Sequence, residues 1–391
     1  MNNEINIFGS PVDEGALSQI TTCIEHGNVF KGVLTADHHK GYAVPIGGVL
    51  AYKNQVCVSG VGFDIGCGNK AVRTNADVNV VREHISTIMD SIVEEISFGV
   101  GRKNNERIDH PLFDKDTWKM DCVAPLKEMA RSQLGTVGSG NHYVDIFEDE
   151  QGQVWIGVHF GSRGLGHKIA THFLKAGGAK DGMDVPPLVL DIGSDLGDSY
   201  LECMKLAGEY AYAGRDWVCS KVASIIGADI LEEVHQHHNY SWEEEHYGEK
   251  LHVVRKGATP CFPGEKSFIG SSMAENSVIV QGKDSEQAKG SLYSTVHGAG
   301  RVMGRMEAKG KYHRKTGECK RKGKVSREMM EAWLRNAGVE LRGGDVDESP
   351  DCYKRLNDVL SYHSDSLDVI HTLKPIGVAM AGKGDFDPFK D

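Results

Sequence analysis

The chain has 391 residues, with 40% hydrophobic and 25% charged side chains, ordinary values for a globular protein with room for one large core or two smaller ones. No apolar run approaches the ~18 residues of a membrane-spanning helix, and the opening MNNEINIFGSPVDEGA has neither a basic nor an apolar signal region, which argues against secretion and for the cytoplasm. A formal net charge of −11 by itself argues against nucleic acid as a partner, and nine scattered cysteines without a C-x-x-C pair suit a reducing compartment where most thiols are small core residues.

In chain order, helical periodicity covers 77–96, the β-branched run QVWIGVHF at 153–160 predicts a strand, and helical spacing returns over 197–226. LHVVRKGAT at 251–259 and NSVIVQG at 276–282 predict two further strands, and 326–338 reads as a helix capped by serine at its start and glycine at its end. Many of the 47 glycines gather in blocks at 41–48, 60–68, 135–140, 161–166 and 298–304, where strands give way to loops. There is no internal repeat and no linker, so the expectation is a mixed α/β (α+β) chain forming one catalytic domain over 1–391. Its glycine-rich loops at strand ends would build the site.

The residues beside those blocks carry chemistry. VSGVGFDIGCGNK holds Asp64 and Cys67 on a glycine-rich loop, GTVGSGNHYVD holds His142, and WIGVHFGSRGLG ends a strand on His159. EEVHQHHNY supplies His235, His237 and His238, and STVHGAGRVMGR supplies His297. Any one such histidine, alone, is more often structural, and Asp64 with Cys67 also reads as a buried turn with a core cysteine. Imidazole, thiolate and carboxylate together suit zinc or manganese, and their wide spacing points to a catalytic site rather than a zinc finger. No HExxH, Walker GxxxxGK[ST] or dinucleotide glycine fingerprint is present. The glycines after His297 free backbone N–H groups for a phosphate, with Arg301 near to neutralise charge, a setting for a histidine that carries a phosphoryl or nucleotidyl group. From 301 to 327 the chain holds eleven of its 44 Lys and Arg against two glutamates, a candidate phosphate-backbone contact or a solvated loop.

The segments VGFDIGCG, LGTVGSGNHYVDI, HFGSRGLGHKIATHF, HHNY, RKGAT, HGAGRVMGR and DESPDCYK, in that order from about residue 33 onward, resemble the RtcB family of RNA ligases. The resemblance implies an RtcB-like fold. It also implies an enzyme that seals RNA ends bearing 2′,3′-cyclic phosphate or 3′-phosphate to 5′-hydroxyl ends, with GTP and two Mn²⁺ ions. Carried over, Asp64, Cys67, His142, His159 and His238 would hold metal, Cys67 bridging the ions, and His297 would become guanylylated. Asn141, Asp145, Asn239, Ser272, Ser277, Gly298, Ala299, Gly300, Tyr353 and Lys383 would hold the nucleotide. Lys311, Arg314, Lys315, Lys320, Arg321 and Lys322 are read as RNA contacts.

The chain departs from the family pattern where Asp145 replaces glutamate, where GSSM (270–273) replaces PGSM, and where Lys383 lies later than usual before a short tail at 385–391. ADHHKGY has alanine for proline, though Asp37 and His39 keep their places. A monomer, with or without an accessory activating protein, in tRNA splicing or RNA repair, is expected. The rival classes are a metal-dependent phosphoesterase, which needs neither His297 nor GTP, and a non-catalytic RNA-binding relative, which would lack metal ligands.

Overall fold

The computed structural model describes residues 5–180, 182–313 and 319–382. Its larger sheet runs in the order Lys266–Ile269, Ser277–Gly282, Leu367–Met380, Tyr143–Glu148, Gln153–Phe160, Gly68–Asp77, Ile230–His237. Glu340–Arg342 adds to Leu367–Met380 in parallel; the pairings along the main path are antiparallel. The first and last strands curl back toward each other. The Gln236 amide donates to the Lys266 carbonyl and Lys266 Nζ lies 2.5 Å from Glu232, so the sheet is a nearly closed barrel.

The strand Gln153–Phe160 is apolar over most of its length because successive side chains point to opposite faces and both faces are buried. Trp155 packs with Phe147, Phe268, Ile279 and Leu373 on one face, while Val154, Ile156 and Val158 pack with residues of the covering helices, such as Ile92 and Val222, on the other. Gly157 belongs to the first face, where a Cβ would stand 2.6 Å from the Phe147 ring. The long helix Asp195–Ile225 starts at Ser194, whose hydroxyl accepts from the Gly197 N–H, and carries Asp195 and Asp198 at its positive end.

A second sheet has the order Ile5–Ile7, Val29–His39, Ile46–Tyr52, Glu249–Lys256, Asn239–His246. Ile230–His237 lies in the first sheet and Asn239–His246 in the second, so the chain passes between them at His238. Among the described residues no helix is long and apolar enough to cross a membrane.

The predicted strand at 153–160 and the helices at 197–226 and 326–338 match to within two residues, the last with its Ser326 cap and left-handed Gly338. Two elements differ. The helix expected over 77–96 is two, Val78–Glu83 and Ile85–Glu95, because Asp77 ends a strand and His84 interrupts the turn. The strand expected over 251–259 breaks at Gly257, whose φ of +60° suits glycine and where a Cβ would press on Ile46 at 2.5 Å. The chain then enters a ribbon of Ala258–Pro260 with Ser294–Val296, and that second strand delivers His297.

Candidate metal and nucleotide site

Strand register assembles the site. Asn69 and Tyr143 both pair with His159, and Gly68 pairs with His237. Cys67, His142, His159 and His238 therefore stand at the same ends of four neighbouring strands. Asp64 joins through a turn in which the Cys67 N–H donates to the Asp64 carbonyl at 3.0 Å. The glycines around it are steric requirements. Gly66 has φ +72° with a Cβ position 3.1 Å from Gly208 Cα, and a Cβ on Gly161 would collide with the Asp64 carboxylate.

The side chains converge. Cys67 Sγ lies 3.4 Å from His159 Nε2 and 3.7 Å from His142 Nε2, His159 Nε2 lies 3.3 Å from His238 Nε2, and His142 Nε2 lies 3.1 Å from Asp64 Oδ2. His159 Nδ1 donates to the Asn141 carbonyl at 3.0 Å, which leaves the Nε2 lone pair facing the cluster. Burial, reinforced by neighbouring imidazoles, holds His159 and His238 well below the usual histidine range. Burial and the adjacent Asp64 push the Cys67 thiol well up. Burial opposes ionisation of Asp64, yet His142 and Arg163 keep its carboxyl low. Neutral imidazole lone pairs, a sulfur and a carboxylate facing one another fit a divalent cation, which satisfies them together. His235 and His237 point elsewhere, toward Arg215.

His297 lies beside this cluster, its ring centroid 4.9 Å from that of His238. Its Nδ1 is 2.6 Å from Asp37 Oδ2, which also accepts the His297 backbone N–H at 3.0 Å. Thr35 Oγ1 donates to the other carboxylate oxygen at 2.6 Å. Asp37 is fully buried, and although burial works against its charge, His297 and Thr35 bring its carboxyl down to about 2. The ring is thereby fixed with Nδ1 protonated and Nε2 available. Asn69 Nδ2 holds the His297 carbonyl at 3.2 Å, and Gly300, at φ +75°, passes so close to the Asp37 backbone that a Cβ would collide with it.

A cavity of about 530 Å³ opens here, lined by Asn141, Asp145, His159, Ser272, His297, Gly298, Ala299, Gly300, Arg301 and Tyr353 among others. Burial raises the Asp145 carboxyl well above the carboxylate range, and its Oδ1 and the neighbouring Tyr143 hydroxyl are buried without hydrogen-bond partners among the described residues. Arg301 donates to the Tyr353 hydroxyl at 2.9 Å and lies over its ring, while that hydroxyl donates to Glu348. Ser272 donates to Glu275 at 2.7 Å. Asn239 and Ser277 are outside the lining: Asn239 accepts the Gly257 N–H at 2.7 Å, and Ser277 accepts the Ser271 N–H at 3.0 Å. Lys383 lies outside the described residues.

The basic stretch divides into two parts. Arg305 and Lys309 pair with Asp345, Asp347 and Glu348, Lys324 with Glu307, and Arg327 with Glu331. Lys311, Lys320, Arg321 and Lys322 are exposed on the hairpin Gly310–Tyr312 with Cys319–Lys322; Arg314 and Lys315 lie outside the described residues. The sequence reading assigned no role to Asp37 or Asn69. The signals for Asp37 were its place in the motif ADHHKGY and a carboxylate buried inside the strand Val29–His39.

A cluster of donors suited to a divalent cation stands beside a carboxylate-oriented histidine and a cavity large enough for a small-molecule ligand. The family profile described as tRNA-splicing ligase RtcB matches residues 19–124 and 115–381. The RNA-splicing ligase RtcB of Escherichia coli K12 is 30% identical over 404 residues, covering 94% of each chain. The tRNA-splicing ligases RtcB of Thermococcus kodakarensis and Archaeoglobus fulgidus are 28% and 29% identical, covering 89% and 88% of this chain and 87% and 86% of theirs. The chain belongs to the RtcB family.

Proposed function

We propose that this chain is an RNA ligase that joins 2′,3′-cyclic-phosphate or 3′-phosphate ends to 5′-hydroxyl ends, consuming GTP. The observation that carries the reading is the Asp37–His297 pair set against the Cys67, His142, His159 and His238 cluster. With Nδ1–H committed to Asp37, His297 Nε2 attacks the α-phosphorus of GTP; a P–N bond forms and pyrophosphate leaves. The guanylyl group then passes to an oxygen of the RNA 3′-phosphate. Attack by the 5′-hydroxyl on that phosphate makes the phosphodiester and releases GMP. A cyclic phosphate is first opened by water to a 3′-phosphate.

Mn²⁺ held by Asp64, Cys67, His142, His159 and His238 would offset charge on the phosphates. Arg301 and the Gly298–Gly300 backbone border the phosphate end of the cavity in this reading, and Asp145 with Tyr143 offers polar groups to the base. The test is incubation with α-labelled GTP and Mn²⁺ followed by denaturing electrophoresis. The parent should carry label and His297→Ala should not. Equal labelling would overturn the assignment, and ligation-free phosphatase activity without labelling would favour the phosphoesterase reading.

A further inference from the structure

Arg215 is fully buried on the long helix Asp195–Ile225, away from the cavity. Its guanidinium makes four close polar contacts, and each ends on a segment that carries or adjoins one of the cluster residues. Nη1 donates to the Gly66 carbonyl at 2.9 Å, immediately before Cys67, and to the Phe160 carbonyl at 2.5 Å, immediately after His159. Nε donates to His235 Nε2 at 2.8 Å, and Nη2 lies 2.9 Å from His237 Nδ1, which itself lies 2.9 Å from the Gly66 carbonyl, on the strand that leads into His238. The same helix face is shaped for this approach. Tyr212 packs its ring against His235 and His237 at centroid distances of 4.3 and 3.9 Å, and at Gly208 a Cβ would stand 2.7 Å from the Tyr240 ring.

We infer that Arg215 is a positioning residue that sets the spacing of Cys67, His159 and His238 and so tunes the metal affinity of the site. The inference rests on the metal reading above. Arginine suits the role because its rigid fork addresses several acceptors at fixed angles, whereas a lysine ammonium is a single point donor on a flexible stem. Groups that hold ligands without touching the ion shift metal affinity by about 10- to 100-fold when removed.

The probe is cobalt(II), whose thiolate charge-transfer band reports the Cys67 bond directly, titrated into the metal-free parent and variants. Arg215→Lys should weaken cobalt binding by at least about 10-fold and move the Mn²⁺ activation curve to higher concentration. Arg255→Lys is the control for general destabilisation. Arg255 is equally buried, but its bonds go to Glu244, Ser294 and Leu292. It should lower the thermal midpoint of the metal-free protein while leaving cobalt affinity near the parent value. His235→Asn removes one acceptor only and should weaken cobalt binding by a smaller factor. It decides the matter if Arg215→Lys does not fold. Parent-like cobalt affinity in Arg215→Lys, or in His235→Asn where only that variant folds, overturns the inference, as does equal weakening by Arg255→Lys. A parent protein with no thiolate band overturns the metal reading and this inference together; a parent band that Arg215→Lys leaves intact overturns the inference alone.

Discussion

Replacing Asp37 with asparagine isolates what its charge contributes to the proposed guanylylation of His297. The carboxyl sits at about 2 instead of its ordinary 3.8, although it is fully buried, so attraction to His297 and the hydrogen bond from Thr35 outweigh desolvation. That difference corresponds to roughly 2.5 kcal/mol. When Nε2 takes up the guanylyl group while Nδ1 keeps its proton, the ring becomes cationic, and the transition state feels most of that attraction. The Asp37→Asn side chain keeps the shape, and its carbonyl can still accept Nδ1–H and the backbone N–H, so the tautomer survives but the charge does not. The initial rate of labelling by α-labelled GTP at saturating Mn²⁺ should therefore fall by about 30- to 100-fold. Asp37→Ala should fall further, because it leaves the two His297 donors unmatched at about 1–3 kcal/mol each, while Thr35 can turn to the Gly47 carbonyl. Cobalt binding should be unchanged in Asp37→Asn, which separates the effect from damage to the metal cluster. The sign with pH is fixed as well. A carboxyl lowered in the folded state contributes stability above about pH 4, and that contribution is lost as pH falls through about 2, so the acid limb of the parent's stability curve should be flatter in Asp37→Asn. Labelling of Asp37→Asn at the parent rate would refute the reasoning.

Other outcomes follow from the same geometry. Cys67→Ser should lose the cobalt thiolate band and the activity, since a hydroxyl does not ionise under the same field; Mn²⁺-dependent ligation at the parent rate would remove the thiolate from the site. Because the metal-free Cys67 thiol is pushed well up, binding must expel its proton, and parent affinity should drop by about 10-fold per pH unit on acidification, read by cobalt titration against pH. A flat profile contradicts this. Gly161→Ala drives a Cβ into the Asp64 carboxylate and should weaken metal binding more than it lowers the thermal midpoint. Alanine at Lys311, Lys320, Arg321 and Lys322 should raise the KM for RNA and reduce its salt slope by about 0.7 for each lost phosphate contact, with His297 labelling near normal. An unchanged slope would return the hairpin to solvent.

What was legible in the sequence is what neighbouring residues encode. The helix at 326–338 announced both caps, and QVWIGVHF announced a strand. His142, His159 and His297 stood out because each sits at the boundary between a strand and a glycine loop. His84 broke a helix without breaking its periodicity, so the interruption left no mark, and Gly257 ended a strand for a reason that lies in Ile46, far along the chain. Asp37 reaches His297 across 260 positions, and Arg215 lies on a helix whose pattern does not say which face meets the sheet. The site itself belongs to this second kind of information. Slipping Ile230–His237 by one residue against Gly68–Asp77 would exchange the faces of that strand and turn His238 away from Cys67. Burial of Val234 beside Ala71 and Trp155 on one face and the Arg215 contacts to His235 and His237 on the other oppose the slip. The packing that closes the barrel and the contacts that place the candidate metal ligands therefore act on the same register, and four separated motifs become one site through it.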